Sequence, residues 1–354
     1  LLKRSRTRAI FAYESMPEVM SLTKIGDYRI DTSKESSMPK PMQAILRLIT
    51  KGRDEDTLYA YTKLTKAAVK LLPLMPAKLK DFRTWLSVNI YWNQPDAGNL
   101  ANMVKLILRD CLDINVSVGA VRMIPQMGCF HPQSAETFAD HHEYLRWATK
   151  MRFYRRGQPL VALLVFRKHL MQQQSYPHDL IRAFEARGLA VLPIFVSGIE
   201  AHVILREWIA KERVDFIVST MGFSVVGGPA GSTRPGANRD ASAEIMSAID
   251  VPYMIAQPLM MQSEADWRQH GLAPMQSVIM YDLPEMDGSI SPVVIGALAD
   301  QEIVTIADRI ERVATIAERW IRLRRKPASE RKVAMVLYNY PPGLGRLGTA
   351  ALRN

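Results

Sequence analysis

A glycine-rich segment at residues 221–231, MGFSVVGGPAG, could form a ligand-binding loop. It follows an apolar run typical of a buried strand, and α/β proteins place ligand-binding loops after such strands. Its glycines have neither the G-x-G-x-x-G spacing of dinucleotide sites nor the Gly-Lys-Ser/Thr of a P-loop. A tight turn that needs positive φ is therefore the favoured interpretation. The alternative is a loop that lines a cleft, with Gly227 and Gly228 as candidate substrate contacts.

Two carboxylates, Glu285 and Asp287, lie two positions apart in the segment DLPEMDG at residues 282–288. Such a pair could take a proton, bind a hard cation or hold an amine. The same spacing fits a turn between two strands, because Asp287-Gly288 can supply the backbone geometry of a hairpin. We favour the turn and keep both carboxylates as candidate substrate-binding residues.

Histidines occur in two places where they could be ligands. His131, in the segment GCFHP, precedes a predicted helix, where it either binds a substrate or, as we favour, has a structural role. His141 and His142 precede Glu143, but a zinc-binding helix of this kind needs two histidines four positions apart. Adjacent helical residues point about 100° apart. We therefore expect a solvated helix face and predict no metal site.

The composition is that of an ordinary globular protein, with 354 residues of which 48% are hydrophobic and 23% charged. This length favours two domains. The formal net charge of +11 favours acidic partners, and by itself it does not choose among nucleic acid, anionic lipid and a small molecule with carboxylates or phosphates. Nucleic acid is not expected, because no aromatic-interleaved basic stripe or known binding motif accompanies the charge.

Cysteine content and hydropathy bear on the compartment. Cys111 and Cys129 can form neither a disulfide framework nor a four-cysteine zinc site, which favours a reducing, cytoplasmic compartment. No apolar run reaches the roughly 18 residues of a membrane span, so an integral membrane protein is not expected. The chain lacks an initiator Met, and little sequence follows a strand predicted at residues 332–338. We expect a piece of a longer protein.

The hydrophobic pattern predicts an α/β fold with a parallel sheet and a helical N-terminal region. Apolar runs alternate with helical stripes through the middle of the chain, as in doubly wound domains. Before them, residues 42–112 have the spacing of helices. The change between these two patterns makes the chain multi-domain. The strands of the sheet are predicted at residues 160–166, 189–196, 214–219 and 252–256.

Two further strands and a long helix are predicted towards the C-terminus. The strands are placed at residues 276–282 and 290–296. The helix has an apolar stripe from Ile303 and Ile306 to Trp320, and the basic run at residues 322–326 is expected to be its solvated end.

Several segments resemble the CobN/magnesium chelatase family when they are taken together in this order. They are GFSVVGGPA (222–230), DVPYMIAQPL (250–259), LPEMDGSISP (283–292), AERW (317–320) with LRRKP (323–327), KVAMVLYNYPP (332–342) and GTAA (348–351). The order is similar to that of the large porphyrin-binding H subunit of magnesium chelatase, and the similarity is clearest over residues 115–351. The resemblance implies that residues 1–114 are the largely helical N-terminal region of such a subunit and that residues 115–354 are an α/β region of the family type. The large subunit of cobaltochelatase is a relative with much the same architecture.

The resemblance implies a function that the spacing alone does not. Members of the family bind protoporphyrin IX, and two partner subunits, an AAA+ ATPase and an integrin-like protein, use ATP to drive insertion of the substrate ion Mg²⁺. The product leads to chlorophyll and bacteriochlorophyll. A flat apolar macrocycle with two propionates suits a basic protein with apolar clefts. The chain has no P-loop, so ATP hydrolysis must come from the partners.

The resemblance also limits what this chain is expected to do. The family's metal-delivering residues are expected outside it, so the catalytic residues are unknown and the 354 residues alone are not expected to insert Mg²⁺. The alternatives are the large subunit of cobaltochelatase, in cobalamin biosynthesis, and a non-catalytic α/β ligand-binding module.

Overall fold

A computed structural model describes most of the chain after residue 76. The described residues are 9–10, 22–26, 28–29, 50, 53, 56, 76, and 79–335 apart from 93, 95, 124, 199–200, 227, 229–238 and 301. Most of the predicted helical region at 42–78, Gly227 and the end of the predicted strand at 332–338 lie outside them.

The described strands and helices alternate along the second half of the chain. The strands are β1 (Lys24–Ile25), β2 (Tyr28–Arg29), β3 (Met127–Cys129), β4 (Leu160–Phe166), β5 (Ala190–Val196), β6 (Phe216–Ser219), β7 (Tyr253–Gln257), β8 (Ile290–Val294), β9 (Gly296–Ala299) and β10 (Glu302–Thr305). The helices are α1 (Lys80–Trp92), α2 (Ala97–Leu112), α3 (His141–Lys150), α4 (Arg167–Met171), α5 (Tyr176–Glu185), α6 (Ala201–Ile204), α7 (Arg239–Ile249), α8 (Glu264–His270), α9 (Pro274–Ser277), α10 (Leu283–Met286) and α11 (Ala307–Arg325). Two π-helical turns, Leu205–Ile209 and Val278–Asp282, continue α6 and join α9 to α10.

Six of these strands form one sheet in the order β3-β5-β4-β6-β7-β8. All neighbours pair in parallel except β3, which lies antiparallel to β5 at one edge. The parallel strands therefore follow the order second, first, third, fourth, fifth, which is one of the two common doubly wound arrangements. This confirms the predicted parallel α/β sheet, with the strands at 160–166 and 190–196 side by side.

Helices cover both faces of the sheet, and β4 shows why. Leu160, Ala162 and Leu164 face a core that includes residues of α3, α6 and α7. The residues between them, Val161, Leu163 and Val165, face a second core formed with α5 and α11. A strand with two buried faces must be apolar at every position, which accounts for the unbroken LVALLVF run.

Two smaller units are separate from this sheet. Helices α1 and α2 pack through Val88, Tyr91 and Leu106, and their presence agrees with the helical spacing at the end of residues 42–112. A hairpin of β9 and β10 lies next to the end of β8. The boundary that we predict at residue 114 stays a prediction. No helix among the described residues combines the length and the apolar character needed to cross a bilayer.

The strand predicted at residues 276–282 is wrong, because this segment is helical. Gln276, Met280 and Leu283 are buried and lie at positions i, i+4 and i+7, which is the spacing of one helix face. A short apolar run does not by itself distinguish a strand from a buried helical turn. The carboxylates at 285 and 287 consequently follow a helix and not a strand.

The predicted start of the long helix is also wrong. Ile303 belongs to strand β10 and Ile306 is the residue before α11, which begins at Ala307. The buried stripe of α11 runs from Ile310 to Ile321, and Trp320 is 37% exposed beside it. The helix ends at Arg325, within the basic run as predicted. That run is not wholly solvated, because Arg325 makes two hydrogen bonds of 2.8 Å to the carboxylate of Asp215.

The strand predicted at residues 332–338 is not present in its described part. Residues 331–335 are irregular and exposed, with Val333 88% and Met335 82% accessible.

Candidate functional site

The strand order marks one place on the sheet for ligand binding. In doubly wound sheets ligands bind beyond the carboxyl ends of the strands, where the order along the sheet reverses. Here the chain goes from β4 outward to β5 and then back across β4 to β6. This rule predicts a ligand-binding crevice beyond the ends of β4 and β6, at Phe166 and Ser219.

Polar side chains from three elements meet at this point. His169 of α4 contacts the hydroxyl of Tyr176 of α5 through its Nδ1 atom at 2.5 Å. The hydroxyl of Thr220, directly after β6, donates to the carbonyl of Leu164 at 3.1 Å. Burial lowers the pKa of His169 to about 4, and the charge of Lys168 adds to this effect. His169 is therefore neutral near pH 7, and it could accept or donate one hydrogen bond but carries no charge towards an anion.

An aromatic pair borders the same crevice. The rings of Phe166, at the end of β4, and Phe223, in the glycine-rich loop, meet edge to face with centroids 6.3 Å apart. Phe166 also meets the ring of His169 at 5.7 Å. Both phenylalanines are only partly buried. Partly exposed rings at the mouth of a crevice suit a flat apolar ligand.

The glycine-rich loop is held close to its neighbours at two glycines. A Cβ atom on Gly222 would overlap the side chains of Gln257 and Ile279. Gly228 has φ of +54°, and a Cβ atom there would lie 2.8 Å from the carbonyl oxygen of Gly198. The described part of the loop thus has the tight, positive-φ geometry that was the favoured interpretation, and it brings the loops after β5 and β6 together. Gly227 lies outside the described residues.

Asp287 contacts this loop from the turn after α10. Its carboxylate accepts hydrogen bonds from the backbone N–H of Val225 at 2.8 Å, from the hydroxyl of Ser242 at 2.6 Å and from the hydroxyl of Ser224 at 3.3 Å. The side chain is buried, and this burial raises the pKa of Asp287 although the three hydrogen bonds oppose the change. The residue shapes the loop.

Glu285 does not join Asp287 in a common site. It lies exposed on the short helix α10, whereas Asp287 is directed into the protein. The structure therefore does not form the paired carboxylates that the spacing allowed. The hairpin that we favoured is also absent, because Asp287 and Gly288 form the turn that follows a helix.

His131 is part of an aromatic core. Its Nε2 atom lies 2.9 Å from a carboxylate oxygen of Glu185, and its Nδ1 atom accepts from the backbone N–H of Gln133 at 3.2 Å. Its ring lies 4.3 Å from that of Phe153 and 5.0 Å from that of Trp147. The side chain has no exposed surface, so these contacts give His131 a structural role.

His131 also lies towards the amino ends of the parallel strands, whereas the crevice is placed beyond their carboxyl ends. Strand β3 runs antiparallel to β5, so the chain leaves β3 towards the amino end of β5. Its partner Glu185 ends α5, just before the chain enters β5 at that same edge. Gly228 thus belongs to the glycine-rich loop and Asp287 contacts it, whereas His131 and Glu285 lie away from this loop.

The expectation of a solvated helix face at residues 141–143 holds only in part. His142 is exposed, with 66% of its side chain accessible. His141 is buried, with 5% accessible, because it stacks on the indole of Trp208 with centroids 5.1 Å apart.

Sequence reasoning missed His169, Tyr176 and Ser242 as neighbours of the candidate loop. His169 directly follows a buried strand, which is a usable signal in an α/β protein. Ser242 lies on α7, and nothing in its spacing indicates that it would contact a carboxylate from beyond α10.

Comparison with known proteins places the chain in a family. The family model described as CobN/Magnesium Chelatase matches residues 89–353. The chain belongs to the CobN/magnesium chelatase family. A second model, Domain of unknown function (DUF3479), matches residues 1–86.

The relatives of this chain include subunits of both magnesium chelatase and cobaltochelatase. It is 46% identical to the magnesium-chelatase H subunit of Chlorobaculum parvum over 345 residues, which cover 98% of this chain and 27% of that protein. It is 28% identical to the aerobic cobaltochelatase subunit CobN of Pseudomonas aeruginosa over 73% of this chain and 20% of that protein. The chain thus spans about a quarter of the length of these relatives.

A solved structure shares the fold of this chain. The catalytic subunit of cobaltochelatase from Mycobacterium tuberculosis matches 78% of this chain and 22% of its own, with a TM-score of 0.50 and 23% identity. This likeness supports the α/β architecture.

Proposed function

We propose that this chain is part of the porphyrin-binding subunit of magnesium chelatase, which inserts Mg²⁺ into protoporphyrin IX with ATP hydrolysis by partner subunits. The observation that carries the proposal is the 46% identity to the Chlorobaculum parvum H subunit over nearly the whole chain. The identity to the Pseudomonas aeruginosa cobaltochelatase protein is 28% over a smaller part of the chain. This difference favours magnesium and chlorophyll or bacteriochlorophyll synthesis over cobalt and cobalamin synthesis.

Within this function, we assign the crevice beyond β4 and β6 to contact with the macrocycle. The partly buried rings of Phe166 and Phe223 offer an apolar surface. The described part of the glycine-rich loop is held against Gly198 at Gly228 and by Asp287 at Val225, so the shape of this part is set before any ligand binds. A preformed loop lowers the entropy that binding would otherwise lose.

The remaining candidates have lesser parts in this proposal. Asp287 acts on the substrate indirectly, by holding the loop. Glu285 is exposed and could meet a ligand only from the rim. His131 supports the core at the opposite edge. Pyrrole deprotonation needs a base, and His169 at the crevice would be a weak one, because burial lowers its pKa to about 4.

The family resemblance implies the two partner subunits, and the chemistry agrees with them. Mg²⁺ holds its water tightly, so its insertion needs energy, and the chain contains no P-loop to bind ATP. An AAA+ ATPase and an integrin-like subunit would supply that energy. A cytoplasmic location agrees with two buried free thiols, Cys111 and Cys129.

The test is a titration of the chain with protoporphyrin IX and, separately, with a metal-free corrinoid. Saturable micromolar binding of the porphyrin, followed through its visible absorption, would support the proposal. Preference for the corrinoid would favour the cobaltochelatase alternative. Binding of neither macrocycle would favour a module without chelatase function.

Two variants test whether the macrocycle binds at the crevice. Replacing one ring of an aromatic contact removes about 0.5–1.5 kcal/mol, so Phe223→Ala should weaken porphyrin binding by about 2- to 10-fold. The matched control is Trp92→Ala, which removes an aromatic side chain that is 44% exposed on α1. Equal affinity in both variants would place the macrocycle elsewhere on the chain.

A further inference from the structure

A group of three possible metal ligands lies outside the crevice, on the face of the sheet covered by α3 and α6. His141 and His142 are the first two residues of α3. Glu212 lies in the turn after the π-helical segment that continues α6. One ligand atom from each of the three lies within 4.8 Å of the other two.

The distances approach those of a tetrahedral site. The Nε2 atom of His141 lies 3.5 Å, and the Nδ1 atom of His142 3.7 Å, from the same oxygen of Glu212. With metal–ligand bonds of about 2.0–2.1 Å, the ligand atoms of a tetrahedral ion lie about 3.3–3.4 Å apart. A small movement of the exposed His142 side chain would close the difference.

The two histidines converge although they are adjacent in the helix. Their ring centroids lie 3.9 Å apart. The start of α3 is fixed by two hydrogen bonds: Asp140, the N-cap, accepts from the N–H of Glu143 at 2.8 Å, and Glu143 accepts from the N–H of Ala139 at 2.9 Å. The prediction of no metal site considered only spacing along the helix, and it could not include a carboxylate from another element.

The ring of His141 is buried without a hydrogen-bond partner for either nitrogen among the described residues. Its 3.5 Å approach to Glu212 is too long for a good hydrogen bond. Buried polar atoms in proteins nearly always have a partner, and an exception needs an explanation. A metal ion on Nε2 would provide that partner.

The charges around the group are mixed. Asp140 and Glu212 favour a cation. Lys211 opposes it, but its amino group lies 2.7 Å from the carboxylate of Glu207, which offsets part of its charge.

We propose that His141, His142 and Glu212 bind a transition-metal ion of the Zn²⁺ class, with water in the fourth position. Two imidazoles and one carboxylate suit Zn²⁺, Co²⁺ or Ni²⁺, whereas Mg²⁺ prefers an octahedron of oxygen ligands. A depression of about 480 Å³ lined by His142, Leu145, Arg146 and Thr149 leaves room beside the exposed ligand. The bound ion would link α3 to the turn after α6, and it would be distinct from the Mg²⁺ that is the substrate of the proposed reaction.

The experiment measures Zn²⁺ uptake by the full chain in competition with a chromophoric chelator, and Co²⁺ uptake by visible absorption. We expect one ion per chain, Co²⁺ bands typical of a tetrahedral site, and no displacement by excess Mg²⁺. His142→Ala and Glu212→Gln should each weaken Zn²⁺ binding. Since loss of an outer-shell partner already lowers metal affinity by about 10- to 100-fold, loss of a ligand should have at least that effect.

The control variant is His270→Ala. His270 is also an exposed histidine beside a carboxylate, 3.0 Å from Asp266, but it lies on α8. His270→Ala should bind Zn²⁺ as the unaltered chain does. Zn²⁺ binding that is equal in all three variants, or absent from the unaltered chain, would overturn the proposal. Because neither result involves porphyrin, this test stands or fails separately from the proposed chelatase function.

Discussion

The carboxylate of Asp287 accepts a hydrogen bond of 2.8 Å from the backbone N–H of Val225, which lies 62 positions earlier in the chain. This contact joins the turn after α10 to the loop after β6. Ser242 of α7 adds a hydrogen bond of 2.6 Å to the same carboxylate. One buried side chain therefore determines how the loop, the helix that follows it and the entry to β8 fit together.

Replacing Asp287 should destabilise the protein far more than replacing Glu285. Asp287→Ala leaves the buried N–H of Val225 and the hydroxyl of Ser242 without this acceptor, and hydrogen bonds to charged groups contribute about 1.5–3 kcal/mol. We expect the free energy of unfolding to fall by about 2–3 kcal/mol, measured by urea denaturation.

The matched control is Glu285→Ala, two positions away on an exposed surface. Surface substitutions usually change stability by less than about 0.5 kcal/mol. Equal losses in the two variants would show that the hydrogen bonds of Asp287 do not hold the loop.

Gly222 should tolerate no side chain. A Cβ atom there would lie 2.5 Å from Cγ2 of Ile279 and closer still to Oε1 of Gln257. Overpacking of this kind typically costs about 1–3 kcal/mol, so Gly222→Ala should lower the urea midpoint and weaken porphyrin binding at the same time. Gly98→Ala is the control, since Gly98 is exposed in α2 and its new Cβ would meet only the carboxylate of Asp96 at 3.2 Å. That variant should be neutral or more stable by up to about 1 kcal/mol.

His131 should matter for stability and not for ligand binding. Its ring fills a space among Phe153 and Trp147 and meets Glu185. Truncation of a large buried ring costs about 3–5 kcal/mol, so His131→Ala should lower the free energy of unfolding by about that amount. The porphyrin affinity of the folded fraction, measured below the unfolding transition, should stay unchanged. Loss of affinity at full folding would return His131 to the binding site.

The doubly wound sheet could be predicted because its signals are local. The apolar run of β4 has no polar position, and such a run needs two covering layers. The segment at residues 276–282 was predicted wrongly for the same reason that β4 was predicted correctly. Both segments are short and apolar. They differ in the structure, where Gln276 and Met280 are buried together on one helix face.

The contacts of the candidate site could not be predicted in this way. The partners of Asp287 lie in two separate elements, and its spacing from Glu285 suggested a pair that the structure does not form. The group of His141, His142 and Glu212 could not be predicted for the same reason. A helical wheel places adjacent histidines in different directions, and it contains no information about a glutamate from the turn after α6. Side chains that meet through tertiary packing leave no periodic signal.

The titration of Asp287 should lower the free energy of unfolding as the pH rises. A carboxyl in an unfolded chain has a pKa of about 3.9, and burial raises the pKa of Asp287 in the folded protein. Between these two values the folded form holds a proton that the unfolded form has lost. Linkage then requires stability to fall as the pH rises through this window. Carboxylates whose pKa is lowered, such as Asp140 at the start of α3, have the opposite effect.

Asp287→Asn isolates this contribution because asparagine cannot ionise. The variant keeps a side-chain oxygen that can accept from Val225 and shares every other titrating group with the unaltered protein. We expect the stability of the unaltered protein, relative to Asp287→Asn, to be greatest below about pH 4 and to decrease as the carboxyl ionises. Urea unfolding of both proteins at a series of pH values measures the difference. A relative stability that instead increases with pH would mean that the three hydrogen bonds outweigh burial and that the pKa of Asp287 is lowered in the folded state.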